Sequence, residues 1–129
     1  MKWKRIRKWL IWIAVVYVAG GVAIYFLQDY FLFRPLSLKR DHKYNFSIPH
    51  KDVDIAINKE DTLNLVQFLS TDTVTRGVIL YFHGNKKNIS WYAKYPPYFT
   101  KNGYEVWMID YPGYGKSLGH FNEQTLYDW

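Results

Sequence analysis

The chain contains no cysteine, so disulfide staples and thiolate chemistry are excluded. That absence leaves the compartment open, because exported proteins often lack cysteine too. Residues 1–8 contain no acid, while Lys2, Lys4, Arg5, Arg7 and Lys8 supply five positive charges. The other 121 residues carry 12 basic and 11 acidic side chains. The net charge of +6 therefore reports a basic amino terminus and no nucleic-acid-binding face. Metal-ligand spacing is missing as well. His42, His50 and His83 have no His, Asp, Glu or Cys at the right separation, so no metal site is expected. Aromatic residues make up 20% of the chain, which argues for a folded domain with a membrane segment and against disorder.

Charge is also missing from Trp9 to Leu27, nineteen residues that read WLIWIAVVYVAGGVAIYFL. As a helix this run spans about 28 Å, close to the hydrocarbon thickness of a bilayer. Trp9, Trp12, Tyr25 and Tyr30 stand near its ends, where amphipathic rings favour the interface. The competing readings are a buried helix and a signal peptide cleaved near Ala19-Gly20-Gly21. The apolar run continues past that site to Phe33, which favours an uncleaved anchor over residues 9–33. The five leading cations place the amino terminus in the cytoplasm and the following domain on the outer side. Arg34, Lys39, Arg40 and Lys43 blunt that asymmetry.

Residues 34–50 read as a linker and lead-in broken by Pro35 and Pro49, with His42 and His50 solvated. Residues 51–129 form the domain proper. Val53, Ile55 and Ile57 alternate with Asp54, Ala56 and Asn58, and Leu63, Leu65, Gln67 and Leu69 alternate with Asn64, Val66 and Phe68, across a turn-rich Asn58-Lys59-Glu60-Asp61. This predicts a β-hairpin. Val78 to Phe82 is an unbroken apolar run, the pattern of a parallel strand covered on both faces. A polar turn, His83-Gly84-Asn85, follows it directly. A helix is expected next, late or irregular at Pro96-Pro97 and ended by Gly103 in the left-handed region. Glu105 to Asp110 is a further strand, Tyr111 to Gly115 a loop at its carboxyl end, and Asn122 the N-cap of a last helix. The order β-hairpin, β, α, β, α predicts an α/β fold with a parallel sheet behind a transmembrane helix.

The turn at His83 lies where open α/β sheets place their chemistry, and its backbone N–H groups can face a developing negative charge. The plainer alternative is a strand that ends in a polar turn, with His83 a structural hydrogen-bonder. Gly115-Lys116-Ser117-Leu118-Gly119 matches the G-x-S-x-G of a hydrolase nucleophile elbow. An elbow needs its strand to run into the first glycine, but here the strand ends at Asp110 and Tyr111 to Tyr114 intervene. Ser117 is therefore not read as a nucleophile. A phosphate-binding loop ending in Gly115-Lys116-Ser117 would need glycine at 110, where Asp stands. Asn45-Phe46-Ser47 and Asn88-Ile89-Ser90 are glycosylation sequons by pattern, and His120 reads as a loop residue.

Two motifs together resemble the α/β-hydrolase superfamily, and within it the membrane-anchored BEM46-like and ABHD13-like serine hydrolases. One is Leu80-Tyr81-Phe82-His83-Gly84-Asn85 with Asn88 after it. The other is Asp110-Tyr111-Pro112-Gly113-Tyr114-Gly115-Lys116-Ser117. The resemblance covers about residues 50–129. It implies that Asn85 donates its backbone N–H to an oxyanion hole, that His83 and Gly84 shape that turn, and that the loop of Asp110, Tyr111, Gly113 and Gly115 supports the cleft. It implies no cofactor, and a small acyl substrate (ester, thioester or amide) for the complete parent. Lys86-Lys87 departs from the small residues usual there. These cations would crowd the turn, attract an anionic substrate or simply be solvated. The resemblance also places the nucleophile, acid and catalytic His later than the residues present. The expectation is thus an amino-terminal part of a membrane-anchored hydrolase, inactive alone. The alternative is a complete small anchored module that binds a partner through an open sheet edge.

Overall fold

The uncharged run is helical throughout. Helix α1 spans Lys2–Leu32, has no buried residue, and is long and apolar enough to cross a bilayer. Ala19-Gly20-Gly21 lies in its middle without interrupting it. The computed structural model describes residues 2–128, which divide into two units between Phe33 and Arg34.

The second unit is built on a four-stranded sheet. Its strands are β2 (His50–Ala56), β3 (Thr62–Phe68), β4 (Gly77–Phe82) and β6 (Tyr104–Asp110). They lie side by side in the order β2-β3-β6-β4. The hairpin expected from alternation is β2–β3, antiparallel with Val53 opposite Leu65. Its turn closes because the Asn58 side-chain oxygen accepts the backbone N–H groups of Glu60 and Asp61, both at 2.8 Å. Strand β6 is antiparallel to β3 but parallel to β4, with Phe82 opposite Ile109. Two parallel neighbours end on the same side, so the turn after Phe82 and the loop after Asp110 emerge next to each other.

Residues opposite one another share a face of the sheet. On one face Val66, Phe68, Val106 and Met108 are fully buried, joined by Tyr44 and by Ile89. Each such side chain contributes about 1.5–3 kcal/mol by leaving water. Residues 34–50, expected as a linker and lead-in, carry part of this core: Leu38, Phe46 and Ile48 pack against it. His50 was expected to be solvated. It is half-buried instead, with Nδ1 2.9 Å from the Ile48 carbonyl and its ring against Phe46.

Two further expectations are corrected. Strand β4 was read as covered on both faces. Only Ile79 and Tyr81 pack inward, while Val78, Leu80 and Phe82 are 51%, 57% and 62% exposed. These three side chains stand open to solvent, so an apolar run alone overstates the burial. The helix after Asn88 is two short pieces, α2 (Ile89–Tyr92) and α3 (Pro97–Thr100). Pro96 and Pro97 lack the N–H groups that would continue the first piece. Gly103 does sit at φ 87°, and a Cβ there would stand 2.7 Å from the Val74 carbonyl. Two elements were not foreseen: β1 (Arg34–Pro35) and β5 (Lys86–Lys87) pair in parallel as a separate ribbon. The last helix is α4 (Glu123–Asp128), and Asn122 caps it by accepting the Thr125 N–H at 2.8 Å.

Candidate functional site

Asp110 is the last residue of β6, on the inward face with Val106 and Met108. The parallel register brings His83, the first residue after β4, beside it. His83 Nε2 lies 2.9 Å from Asp110 Oδ1, and both side chains are buried. The same oxygen accepts the Ile89 N–H at 3.0 Å, which ties the start of α2 to the pair. The Tyr44 hydroxyl approaches Oδ2 at 3.4 Å.

The other imidazole nitrogen, Nδ1, is 2.7 Å from the Gly84 carbonyl oxygen. A carbonyl can only accept, so Nδ1 carries hydrogen. One proton then lies between Nε2 and Oδ1, and the pair is electrically neutral overall. Burial pushes the Asp110 carboxyl above its usual range, against the opposing pull of His83, the Ile89 N–H and Tyr44.

This bond aims the turn. Gly84 C=O and Asn85 N–H belong to one trans peptide, so they point in opposite directions. Holding the carbonyl against His83 directs the Asn85 N–H away from the imidazole. Two phenols hold the flanking carbonyls. Tyr111 donates to His83 O and Tyr114 to Asn85 O, each at 2.8 Å. The Arg34 N–H also reaches Asn85 O, at 3.0 Å. A Cβ at Gly84 would come within 3.1 Å of the Tyr92 hydroxyl. Tyr114 is completely buried, and its phenol is pushed up to about 12 by burial and then by Tyr111.

The structure thus brings His83, Gly84, Asn85, Asp110, Tyr111 and Tyr114 together around one turn. Gly113 and Gly115 bend the loop between them at φ 75° and 48°, and Gly113 O accepts from the Ser37 hydroxyl at 2.7 Å. Ser117 stands apart from any imidazole. Its hydroxyl accepts the Asn64 N–H at 2.8 Å and donates to Asp110 O at 2.6 Å. Lys87 is the one described non-glycine residue at positive φ. Ser117 therefore lacks the strained strand-to-helix turn of an elbow, as the sequence argument held. Asn88 is buried, with its oxygen on the Ser90 N–H and its amide on Leu36 O, so that sequon is shut in the folded chain. Asn45 is exposed.

A polar cluster escaped the sequence reading. Lys116, 6% exposed, pairs with Asp52, and its ammonium lies 5.4 Å from the Tyr44 ring centre. The Asn64 amide nitrogen reaches Asp52 and Asp54, both at 2.7 Å, and its oxygen accepts from Tyr44 at 3.0 Å. Arg40 joins Asp54 at 2.7 Å and Lys116 O at 2.8 Å. The available signal was Asp52, Asp54 and Asn64 falling on the inward face of a hairpin otherwise read as alternating. This cluster fastens the loop carrying Ser117 to the hairpin. Among the described residues no group of three His, Cys, Asp or Glu could hold a metal.

Residues 73–128 match the family profile of the serine aminopeptidases, S33. That stretch includes both motifs, and the match supports the α/β-hydrolase superfamily; it does not reach the membrane-anchored group. Solved structures with similarity include an alpha-beta hydrolase from Vibrio vulnificus at 17% identity and a TM-score of 0.48, over 60% of this chain and 26% of that one. An esterase of Pyrococcus furiosus is 20% identical at a TM-score of 0.48, over 74% and 37%. A probable hydrolytic enzyme from Pseudomonas aeruginosa is 18% identical at 0.45, over 67% and 28%. The chain thus spans about a quarter to somewhat over a third of the length of these proteins.

Proposed function

We propose that residues 34–129 supply the oxyanion-hole part of a serine hydrolase held at a membrane by α1. The observation that carries this is the peptide between Gly84 and Asn85, whose direction is set by a buried His83–Asp110 pair. Such a turn donates a backbone N–H to the oxygen that becomes negative when a serine attacks an acyl carbon. In the complete reaction a serine oxygen adds to the carbonyl carbon and an imidazole takes the serine proton. Collapse then expels the alcohol, thiol or amine, which takes the proton back from the imidazolium, and water repeats the sequence on the acyl-enzyme to release the acid and restore the serine. His83 cannot be that imidazole, because both its nitrogens are engaged inside the fold. Its role here is positioning. Ser117 is engaged by two backbone groups and is not the nucleophile. On this reading the residues described supply the oxyanion part of the site, and the nucleophile comes from elsewhere.

The test is the coding sequence past codon 129. A strand running into G-x-S-x-G, followed by Asp and His codons, supports this reading. The extended protein should then react with a fluorophosphonate at that serine, while the 129-residue chain stays unlabelled. A stop with no hydrolase-like codons after it counts against the reading. Anchoring with the amino terminus inside predicts an active alkaline phosphatase fused after residue 129; activity of a cytoplasmic reporter there would reverse the orientation.

One observation favours a second reading. Strand β4 is paired only with β6 among the described residues, and it exposes Val78, Leu80 and Phe82. An unpaired apolar edge accepts another strand. On that reading the chain is an anchored partner-binding module, and a clean stop after codon 129 would favour it.

A further inference from the structure

Residues 73–104 contain Arg76, Lys86, Lys87, Lys94 and Lys101 and no acidic residue. Most of these cations are set on exposed aromatic rings. The Lys87 ammonium lies 5.6 Å from the Trp91 ring centre, and Lys94 lies 5.0 Å from it. Lys94 also stands 5.3 Å from the Tyr95 ring, and Lys101 stands 5.6 Å from that of Tyr98. Trp91 is 57% exposed and Tyr98 64%. Neither ring belongs to the core, so the core does not require them. Lys87 adds a second sign, because it holds φ 69°, a conformation that glycine would take without strain.

We propose that α2, α3 and the Lys86–Lys87 ribbon form a docking surface for an anionic phospholipid bilayer. Tryptophan and tyrosine favour the headgroup layer, where an apolar ring and a polar tip are both accommodated. Lysines beside them meet lipid phosphates, and the absence of any acid over 32 residues of sequence removes local repulsion. Chain connectivity supports the assignment. Lys86 is registered opposite Arg34, two residues beyond the end of α1. If α1 spans a bilayer, the covalent chain keeps this ribbon within reach of the headgroups. The surface goes beyond the proposed hydrolase role and does not depend on it.

The absence of native cysteine makes a direct test possible. The full chain carrying Ser90→Cys, an exposed position, is labelled with an environment-sensitive fluorophore and reconstituted into nanodiscs. One set is neutral phosphatidylcholine, the other contains phosphatidylglycerol, and both hold a nitroxide lipid quencher. A separate label at Ala23→Cys reports whether α1 is inserted, so a failed anchor is distinguished from a failed surface. The expected result is a blue-shifted, lipid-quenched label at residue 90 in the anionic discs only, lost in high salt. Trp91→Gln, or Lys87→Gly with Lys94→Gln and Lys101→Gln, should return it to the neutral-disc signal. Glycine suits the backbone at 87, and the other side chains are exposed, so the fold is not at risk. A water-exposed label in anionic discs with α1 inserted overturns the proposal. So does quenching equal in both lipids and unchanged by the substitutions, which would reflect the anchor alone. A shift produced only by adding polyglutamate would assign the surface to an acidic polypeptide instead.

Discussion

Gly115 lies so close to Asp110 that a Cβ added to it would stand 1.8 Å from the Asp110 Oδ2. No side chain fits between the loop and the carboxylate. The glycine of one motif is thus required by the aspartate of the same motif, five residues earlier, and that aspartate is required by the histidine of the other.

Gly115→Ala should therefore be severe. It adds the clash to a backbone held at φ 48°, and steric and backbone strain together cost about 3 kcal/mol or more. Chemical denaturation of the purified chain in detergent checks this. Gly20→Ala, at a position where a Cβ meets nothing within 4 Å, should leave the midpoint unchanged.

His83 and Asp110 should behave as a unit. Removing either partner by substitution with alanine takes the charged partner away from a buried group, at a cost of about 3–5 kcal/mol. The double variant should lose less than the sum, since both single variants already lose the same His83–Asp110 contact. Strictly additive losses in the denaturation cycle would show that the contact is not coupled.

Ser117→Ala should act on stability alone. It removes the hydroxyl between Asn64 N–H and Asp110 C=O, a loss of about 1–3 kcal/mol. No fluorophosphonate adduct should form at Ser117 in the unmodified chain. An adduct found there by peptide mass spectrometry would restore Ser117 as a nucleophile.

Tyr114 should contribute to the alkaline limit alongside Tyr44, Tyr81 and Tyr111, whose phenols burial also raises. Its phenol is pushed up to about 12 in the fold, against about 10 when exposed. The neutral form is favoured by folding, so this contribution is full below about pH 10. It is lost as pH rises toward 12. Tyr114→Phe removes this residue's share of the titration, and its denaturation midpoint should fall less steeply between those values than that of the unmodified chain. The same variant removes the hydroxyl's bond to the Asn85 carbonyl, so it should start about 1 kcal/mol less stable near neutrality.

Local patterns carried the outline of this protein. Alternation at Val53–Ile57 and Leu63–Leu69 marks the hairpin because a strand turns each second side chain to the same face. The nineteen uncharged residues mark a long helix because each residue advances it by a fixed rise. Pro96-Pro97, Gly103 and Asn122 act through their own backbone and side-chain chemistry, so their effects are visible in place. Only the tertiary structure decided the rest. His83 and Asp110 meet because β4 and β6 are parallel neighbours, a pairing between residues 27 apart that no local window contains. Tyr114 finds the Asn85 carbonyl for the same reason, and Lys116 finds Asp52 because β3 joins β2 to β6 in the sheet. The apolar run of β4 by itself records only what a strand is able to bury; the family's strand order pointed to an open edge there, and the neighbours determine which side chains are covered.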